Sequence, residues 1–523
     1  MPTLPSRLRR LRVPLLAAGV TTSLWVLQWA MTRFEVGLEH SMTVQTLLMF
    51  SVMLGVLTVA GWFLLSRWIP TRVKLAAVGL VVLCGIGVAV TVRTVEFDGQ
   101  MSPTFHYRWE PTAGEQFAAF RKDARPAGDA ADLTTGPTDS PQFRGAAGDG
   151  SAPSKLADDW ATTPPKLVWK HPVGPGHAGI AVAGNSLVTL EQRGGDEAVV
   201  CYDRETGRER WAYTYPAKFA TSEPMGGDGP RTTPSVVDGL VYALGGAGDL
   251  VCLDGKTGGK KWTVNILADA GATNLEWGMS GSPLVADGKV VVNPGVNPKD
   301  NQAQAVAAYD RYTGAKLWAN GKFAAGYASP QRADIGGTAQ AVVFDTAGVG
   351  GYALTDGKEL WRHPWESAMG MNSAQPVSVG PGRLFVSSEV SNGGAVVDLT
   401  GPPREVWKNR SLSARYCSPV LHAGHLYGLT AGKLVCLDAA TGKKLWDDGN
   451  YGSGQLVLAD GKLVITAEKG FVALVKADPG EFTELARFAV FADRTWNMPA
   501  LAGRRLYMRN HRELACVELP GPD

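Results

Sequence analysis

One phrase, Asp-x-x-Thr-Gly-x-x-x-Trp, recurs unchanged at residues 203–211, 254–262, 310–318 and 438–446. Weaker copies run from Asp356-Gly357 to Trp361, and from Asp398 through Thr400-Gly401 to Trp407, two residues late. A degenerate seventh, Asp478-Pro479-Gly480, ends in Phe488, and an extra Trp169 has no turn before it. Aspartate accepts backbone N–H groups across a tight turn and glycine supplies a positive φ, so the phrase closes a hairpin. The tryptophan then falls on the returning strand, where its face packs between neighbouring sheets. Three strand-like runs precede each turn, as in Ser418 to Leu421, His425 to Leu429 and Lys433 to Leu437, before Lys443 to Trp446. Each unit therefore reads as a four-stranded antiparallel meander. Its inner strand often opens on Thr233-Pro234, Ser282-Pro283, Ser329-Pro330 or Ser418-Pro419, because proline suits a first position that donates nothing to the ladder.

From Trp169 the aromatic markers follow at intervals of 42, 51, 56, 43, 46, 39 and 42 residues. Four strands repeated at that period predict an all-β, eight-bladed β-propeller over residues 165–523. The last unit has three strands, and Lys166 to Lys170 supplies the fourth, so an N-terminal strand closes the ring. A stacked solenoid or two small sandwiches are the alternatives; an open stack has no use for the orphan Trp169. Cys201, Cys252, Cys436 and Cys516 hold the same place in different units, too far apart for disulfides. They read as small buried hydrophobes, with Cys417 on an inner strand and Cys84 in an apolar run.

Residues 1–93 read as a three-helix transmembrane anchor. Uncharged runs cover Val13–Met31, Val44–Leu65 and Leu75–Val92, each near the ~20 residues that cross a bilayer. Arg7, Arg9, Arg10 and Arg12 precede the first, and Arg67, Arg72 and Lys74 lie between the second and third. The other flanks carry Arg33 beside Glu35 and Glu39, and Arg93 near Glu96 and Asp98. The positive-inside bias puts the N-terminus in the cytoplasm and everything after Arg93 across the bacterial inner membrane, in the periplasm. No ionisable group interrupts the spans, so they anchor rather than transport. Residues 94–164, rich in Pro and Gly, read as a linker whose Phe117, Phe120, Phe143 and Trp160 dock on a neighbour. Lys plus Arg (51) nearly balance Asp plus Glu (49), and basic clusters are short, so nucleic-acid binding is not indicated.

The repeat resembles the tryptophan-docking repeat of the pyrroloquinoline-quinone (PQQ)-like β-propellers, which include quinoprotein dehydrogenases and BamB-type outer-membrane assembly lipoproteins. Ser140-Pro-Gln-Phe-Arg-Gly145 with Gly148-Asp-Gly150 resembles the opening of membrane-anchored members. Trp277-Gly-Met-Ser-Gly-Ser-Pro283 and Thr495-Trp-Asn-Met-Pro-Ala500 carry the same resemblance. In the quinoprotein dehydrogenases the quinone lies between a tryptophan and two adjacent cysteines, with calcium and an aspartate base beside it. No two cysteines are adjacent in this chain and no calcium-loop phrase is recognisable. No cofactor is expected on that ground, with PQQ the one the resemblance would allow.

Strand order places His177, Gln192, Arg193, Asp228, Arg231, Trp277, Met279, Asn372, Glu389, Arg415, Tyr416, Glu468, Trp496, Asn497, Arg509 and Asn510 on the face opposite the Asp-Thr-Gly turns. There they either bind a polar or anionic ligand or satisfy one another at strand ends. In the first reading Arg193, Arg231 and Arg415 hold the ligand while Trp277 and Trp496 stack on it. Trp169, Trp211, Trp262, Trp318, Trp361, Trp407 and Trp446 are the docking tryptophans. Gly174-Pro-Gly-His-Ala-Gly179 has dinucleotide-loop spacing but no following helix. His422-Ala-Gly-His425 offers two ligands where zinc needs three or four. Gly278 to Ser282 is no nucleophile elbow. The expectation is a non-catalytic BamB-like binding or scaffolding module that takes a protein, peptide or glycan. A PQQ-dependent oxidoreductase is the alternative, and a sensor of a small ligand would use the same site.

Overall fold

A computed structural model describes residues 12–33, 42–99, 103–127, 129–160, 162–220, 226–296, 304–365, 367, 370–389 and 393–522. Arg7, Arg9, Arg10, Glu35 and Glu39, on which the orientation argument draws, lie outside the described residues. The chain forms two compact units, residues 1–110 and 111–523.

The first unit holds helices α1 (Arg12–Arg33), α2 (Met42–Leu65) and α3 (Thr71–Thr91). Among the described residues, Thr71–Thr91 is long and apolar enough to cross a membrane; the apolar stretches Leu16–Val26 and Phe50–Leu65 are shorter. Pro70 immediately precedes α3, where its fixed φ and missing donor suit a helix start. Lys74 Nζ donates to Leu64 O across the connecting turn. A two-stranded hairpin follows, Val92–Phe97 against Pro103–Tyr107, with Tyr107 stacked on Trp109 at 4.8 Å.

The second unit is an eight-bladed propeller of four-stranded antiparallel sheets. Blades 1 to 7 span residues 181–216, 235–265, 284–320, 331–364, 377–409, 420–448 and 455–489. Blade 8 joins residues 500–518 to the strand Lys166–Pro172, which pairs antiparallel with Glu513–Glu518. Second and third strands are buried along nearly their whole length, as in Asp196–Asp203, because both faces meet a neighbouring blade. The core therefore lies between blades: Tyr242, Cys252 and Trp262 of blade 2 pack on Val290 and Tyr309 of blade 3.

The repeated phrase makes those joints. Asp438 Oδ1 accepts from Thr441 N at 2.8 Å and Thr441 Oγ1 at 2.7 Å, and Asp254 and Asp310 hold their threonines likewise. The indole N–H of Trp169, Trp211, Trp262, Trp318, Trp407 and Trp446 donates to a carbonyl in the next blade's turn, at 2.9–3.3 Å. The turn glycine lies beneath that ring: at Gly207, Gly258, Gly314 and Gly442 an added Cβ would come within 2.5–2.8 Å of the indole. Glycine thus meets two needs there, a positive φ and clearance for the tryptophan. Trp361 departs from the rule. Its N–H turns back to Gln340 Oε1 of its own blade at 2.6 Å, and Gly401, in the following turn, has open space around it. Each equivalent cysteine is the ladder partner of a docking tryptophan, Cys201 opposite Trp211, Cys252 opposite Trp262, Cys436 opposite Trp446 and Cys516 opposite Trp169. All described thiols are free.

The region read as a linker is seated over much of its length. Helix α4 (Ala113–Asp123) starts on a Thr112/Glu115 capping box and buries Phe117. The chain then runs across the lower face, the side of the Asp-Thr-Gly turns. Asp132 N meets Asn185 Oδ1, and Ser140 O accepts from Val182 N in blade 1. Pro141 O accepts from Val236 N in blade 2, and Ala152 pairs with Leu458 in blade 7. Buried Arg144 donates to Pro419 O of blade 6 at 2.7 Å.

Candidate functional site

The loops that lead into the inner strands converge on the propeller axis around one cavity of about 980 Å³, counted to its open mouth. Its position follows from the repeat. In seven of the eight blades the residue two places before the strand-opening pair lines the wall: His177, Arg231, Ser280, Tyr327, Ser373, Tyr416 and Trp496. Blade 7 contributes Gln455 instead, and Trp277, Met371 and Met498 complete much of the rest. Phe143, from the crossing segment, also lines it.

The Ser/Thr-Pro pairs hold these loops in step. Thr233 N donates to Ser282 Oγ, Ser282 N to Ser329 Oγ and Gln375 N to Ser418 Oγ, all at 2.9–3.0 Å. Each hydroxyl thereby ties its own blade to the one before it. Proline explains the second position of the pair, and these bonds explain the first.

Among the described residues the cup is aromatic with one cation, Arg231. Trp277 meets Tyr327 at 5.7 Å, and Trp496 meets Tyr416 at 5.5 Å and His177 at 6.0 Å. Burial draws the Arg231 guanidinium down to about 10, which leaves it charged at neutral pH. Burial, and then the Arg231 charge, push His177 well below its ordinary range. Its neutral ring donates from Nε2 to Gly226 O, and Nδ1 is left as an acceptor with no partner. Glu468 accepts from Trp496 Nε1 at 2.6 Å and from Ser453 N at 3.0 Å, which fixes the indole. Among the described residues the wall therefore offers flat apolar faces and one positive charge.

Of the sixteen residues placed on this face by strand order, His177, Arg231, Trp277, Tyr416 and Trp496 line the cavity and eleven do not. Arg193 lies away from it, engaged by Glu191 and by Glu209 at 2.8 Å. Arg415 pairs with Glu389 at 2.7 Å. Arg509 has no exposed surface and donates to Thr189 Oγ1, Leu190 O and Gly174 O at 2.8–3.0 Å. With Asn497 Nδ2, which donates to Ala178 O at 2.9 Å, it sews blade 8 to blade 1. Gln192 and Asn372 satisfy backbone carbonyls, and Asn510 accepts from two backbone N–H groups of its own turn. Met279 belongs to the core between blades 2 and 3, and Asp228 forms a backbone bridge to Ala220. The Gly174–Gly179 segment serves as an acceptor for Arg509, and His425 turns its Nδ1 to Ala423 O. Tyr327, Phe143, Met371, Gln455 and Met498 were not anticipated. For Tyr327 the repeat offset was an available signal, since it precedes Ser329-Pro330 by the interval that separates Tyr416 from Ser418.

A quinone with calcium does not fit this donor set. Among the described residues no carboxylate lines the cavity, and no three His, Cys, Asp or Glu side chains converge on a metal position. Cys417 is a single buried thiol, pushed up to about 11 by burial.

Comparison with known proteins bears on the fold. A search of curated protein sequences finds no match. Among solved structures, a europium-containing methanol dehydrogenase superposes with a TM-score of 0.54 at 14% identity, covering 74% of this chain and 99% of that one. The quinohemoprotein alcohol dehydrogenase ADHIIG from Pseudomonas putida HK5 gives 0.55 at 14%, covering 75% and 84%. BamB from Moraxella catarrhalis gives 0.49 at 16%, covering 69% and 99%. At such identities the likeness concerns the fold alone. The profile described as outer membrane protein assembly factor BamB matches residues 161–270 and 221–448, together more than half of the chain. With eight blades around one axis, six of their joints made by a docking tryptophan, the chain belongs to this BamB family of PQQ-like β-propellers.

Proposed function

We propose that the protein is a membrane-anchored binding or scaffolding module whose propeller works in the periplasm. Its first three helices hold it in the inner membrane with the N-terminus cytoplasmic. The cup takes up an apolar or aromatic side chain, or a sugar face, from a protein, peptide or glycan partner, and Arg231 receives an acidic group beside it. What carries this reading is the convergence of all eight blades on one aromatic cup that, among the described residues, holds a single guanidinium. Arg509 and Asn497 are buried and spent on carbonyls of blade 1, whereas Arg231, which donates to Gly229 O at 3.1 Å and Gly227 O at 3.2 Å, still lines the cup wall.

Crosslinking in membranes followed by affinity recovery tests it. Arg231→Ala and Trp496→Ala are expected to reduce partner recovery at least about tenfold with unfolding still cooperative. Recovery at the wild-type level from both variants would defeat the cup reading. Tight binding of PQQ with calcium, together with dye-linked alcohol or sugar oxidation, would replace the scaffold by an oxidoreductase.

A further inference from the structure

A second cavity, of about 1,240 Å³ counted to its mouth, lies on the propeller's side, away from the axial cup. Helix α4 forms one wall, the strand Lys166–Pro172 another, and the first Asp-Thr-Gly turn of blade 1 a third. The aromatic stack beneath it is ordered. Phe120 lies parallel to His171 at 5.1 Å, and His171 to Trp169 at 5.3 Å.

Charge is distributed unevenly here. The chain as a whole is nearly balanced, yet five cationic side chains face this cavity against two carboxylates. Three of the seven are already spoken for. Arg210 is held by Asp129 and Asp203, Lys170 by Glu513, and Glu209 by Arg193. Arg121 and Arg125, from α4 and its exit, and Arg208, from the facing turn, have no carboxylate partner among the described residues. Asp123 is the one acid left to set against them. Concave walls concentrate the field of such a group, and guanidinium forks match the oxygens of a phosphate. Phe120, 36% exposed, adds an apolar surface for the organic part of an ester.

We propose that this cavity binds a phosphate group, held by Arg121, Arg125 and Arg208. The group belongs either to a free phosphate or to a phospholipid headgroup, and the two sources are separable. The test uses the full chain in uncharged maltoside micelles, with inorganic phosphate in one arm and dihexanoyl phosphatidylglycerol in the other. Sodium chloride at equal ionic strength is the control. At least one probe is expected to raise the unfolding temperature beyond the chloride control, and the arm that responds names the source. Arg121→Ala and Arg208→Ala are each expected to weaken that probe's binding by about tenfold, and the triple variant with Arg125→Ala to abolish it. Arg404→Ala, which removes the same charge at a distant surface site 72% exposed, keeps the response. The single variants carry the test if the triple variant folds poorly, as judged by far-ultraviolet circular dichroism. The proposal falls if neither probe exceeds chloride, or if the arginine variants respond as the wild type does.

Discussion

Glu191 and Glu197 lie on adjacent strands of blade 1, neither with exposed surface, and their carboxyls shift in opposite directions. Burial alone raises both. At Glu191 the charges of Arg193 and Arg509 outweigh it and hold the group below its ordinary value. Among the described residues Glu197 has no cation partner, only the Tyr215 hydroxyl at 2.9 Å and Gly246 N at 3.1 Å, and burial lifts it to about 7. Between its ordinary value of 4.5 and 7 the unfolded chain has released a proton that the fold retains, so this residue's contribution to stability falls as pH rises through that window. Glu197→Gln removes the penalty. The variant is expected to gain up to about 3 kcal/mol over the wild type at pH 8 and little at pH 4.5, as read from urea unfolding at both pH values.

At the scale of elements, the blade was legible because its joint is local. Aspartate, threonine, glycine and tryptophan sit within nine residues, and turn chemistry alone fixes their geometry. The same joint separates two glycines that look alike in sequence. Gly442 has φ 73° and lies beneath the Trp407 ring, whereas Gly401 faces open space. Gly442→Ala is expected to cost about 2 kcal/mol or more and Gly401→Ala less than about 0.5 kcal/mol in chemical unfolding. The crossing segment was legible only as aromatic residues in search of a neighbour. It has no period, and its partners are backbone groups far along the chain, as for Arg144 and Pro419. The site was legible only in part, five of the sixteen expected residues, for a related reason. A polar residue at an inner-strand end serves a ligand or a neighbouring carbonyl, and the pattern is the same until Arg509 is seen filling four acceptors around blade 1.

For the whole molecule, stability rests on the join between blades 8 and 1. Trp169 docks on the turn of blade 1 through Arg204 O, and Arg509 and Asn497 bridge the same two blades nearer the axis. Arg509→Ala leaves those carbonyls dry and removes a cation from beside Glu191. It is expected to cost about 3 kcal/mol or more. Hydrogen exchange should then quicken first in Lys166–Pro172 and Glu513–Glu518, with blades 3 to 5 protected as before.

The pairing of Lys166–Pro172 with Glu513–Glu518 also sets a timetable for biogenesis. The first strand leaves the ribosome about 340 residues ahead of its mate, which at about 5–20 residues per second is a delay of about 20 to 70 s. Throughout that interval its hydrogen-bonding groups stand open to any other nascent chain, so a chaperone that shields this stretch would act before the last blade has been made.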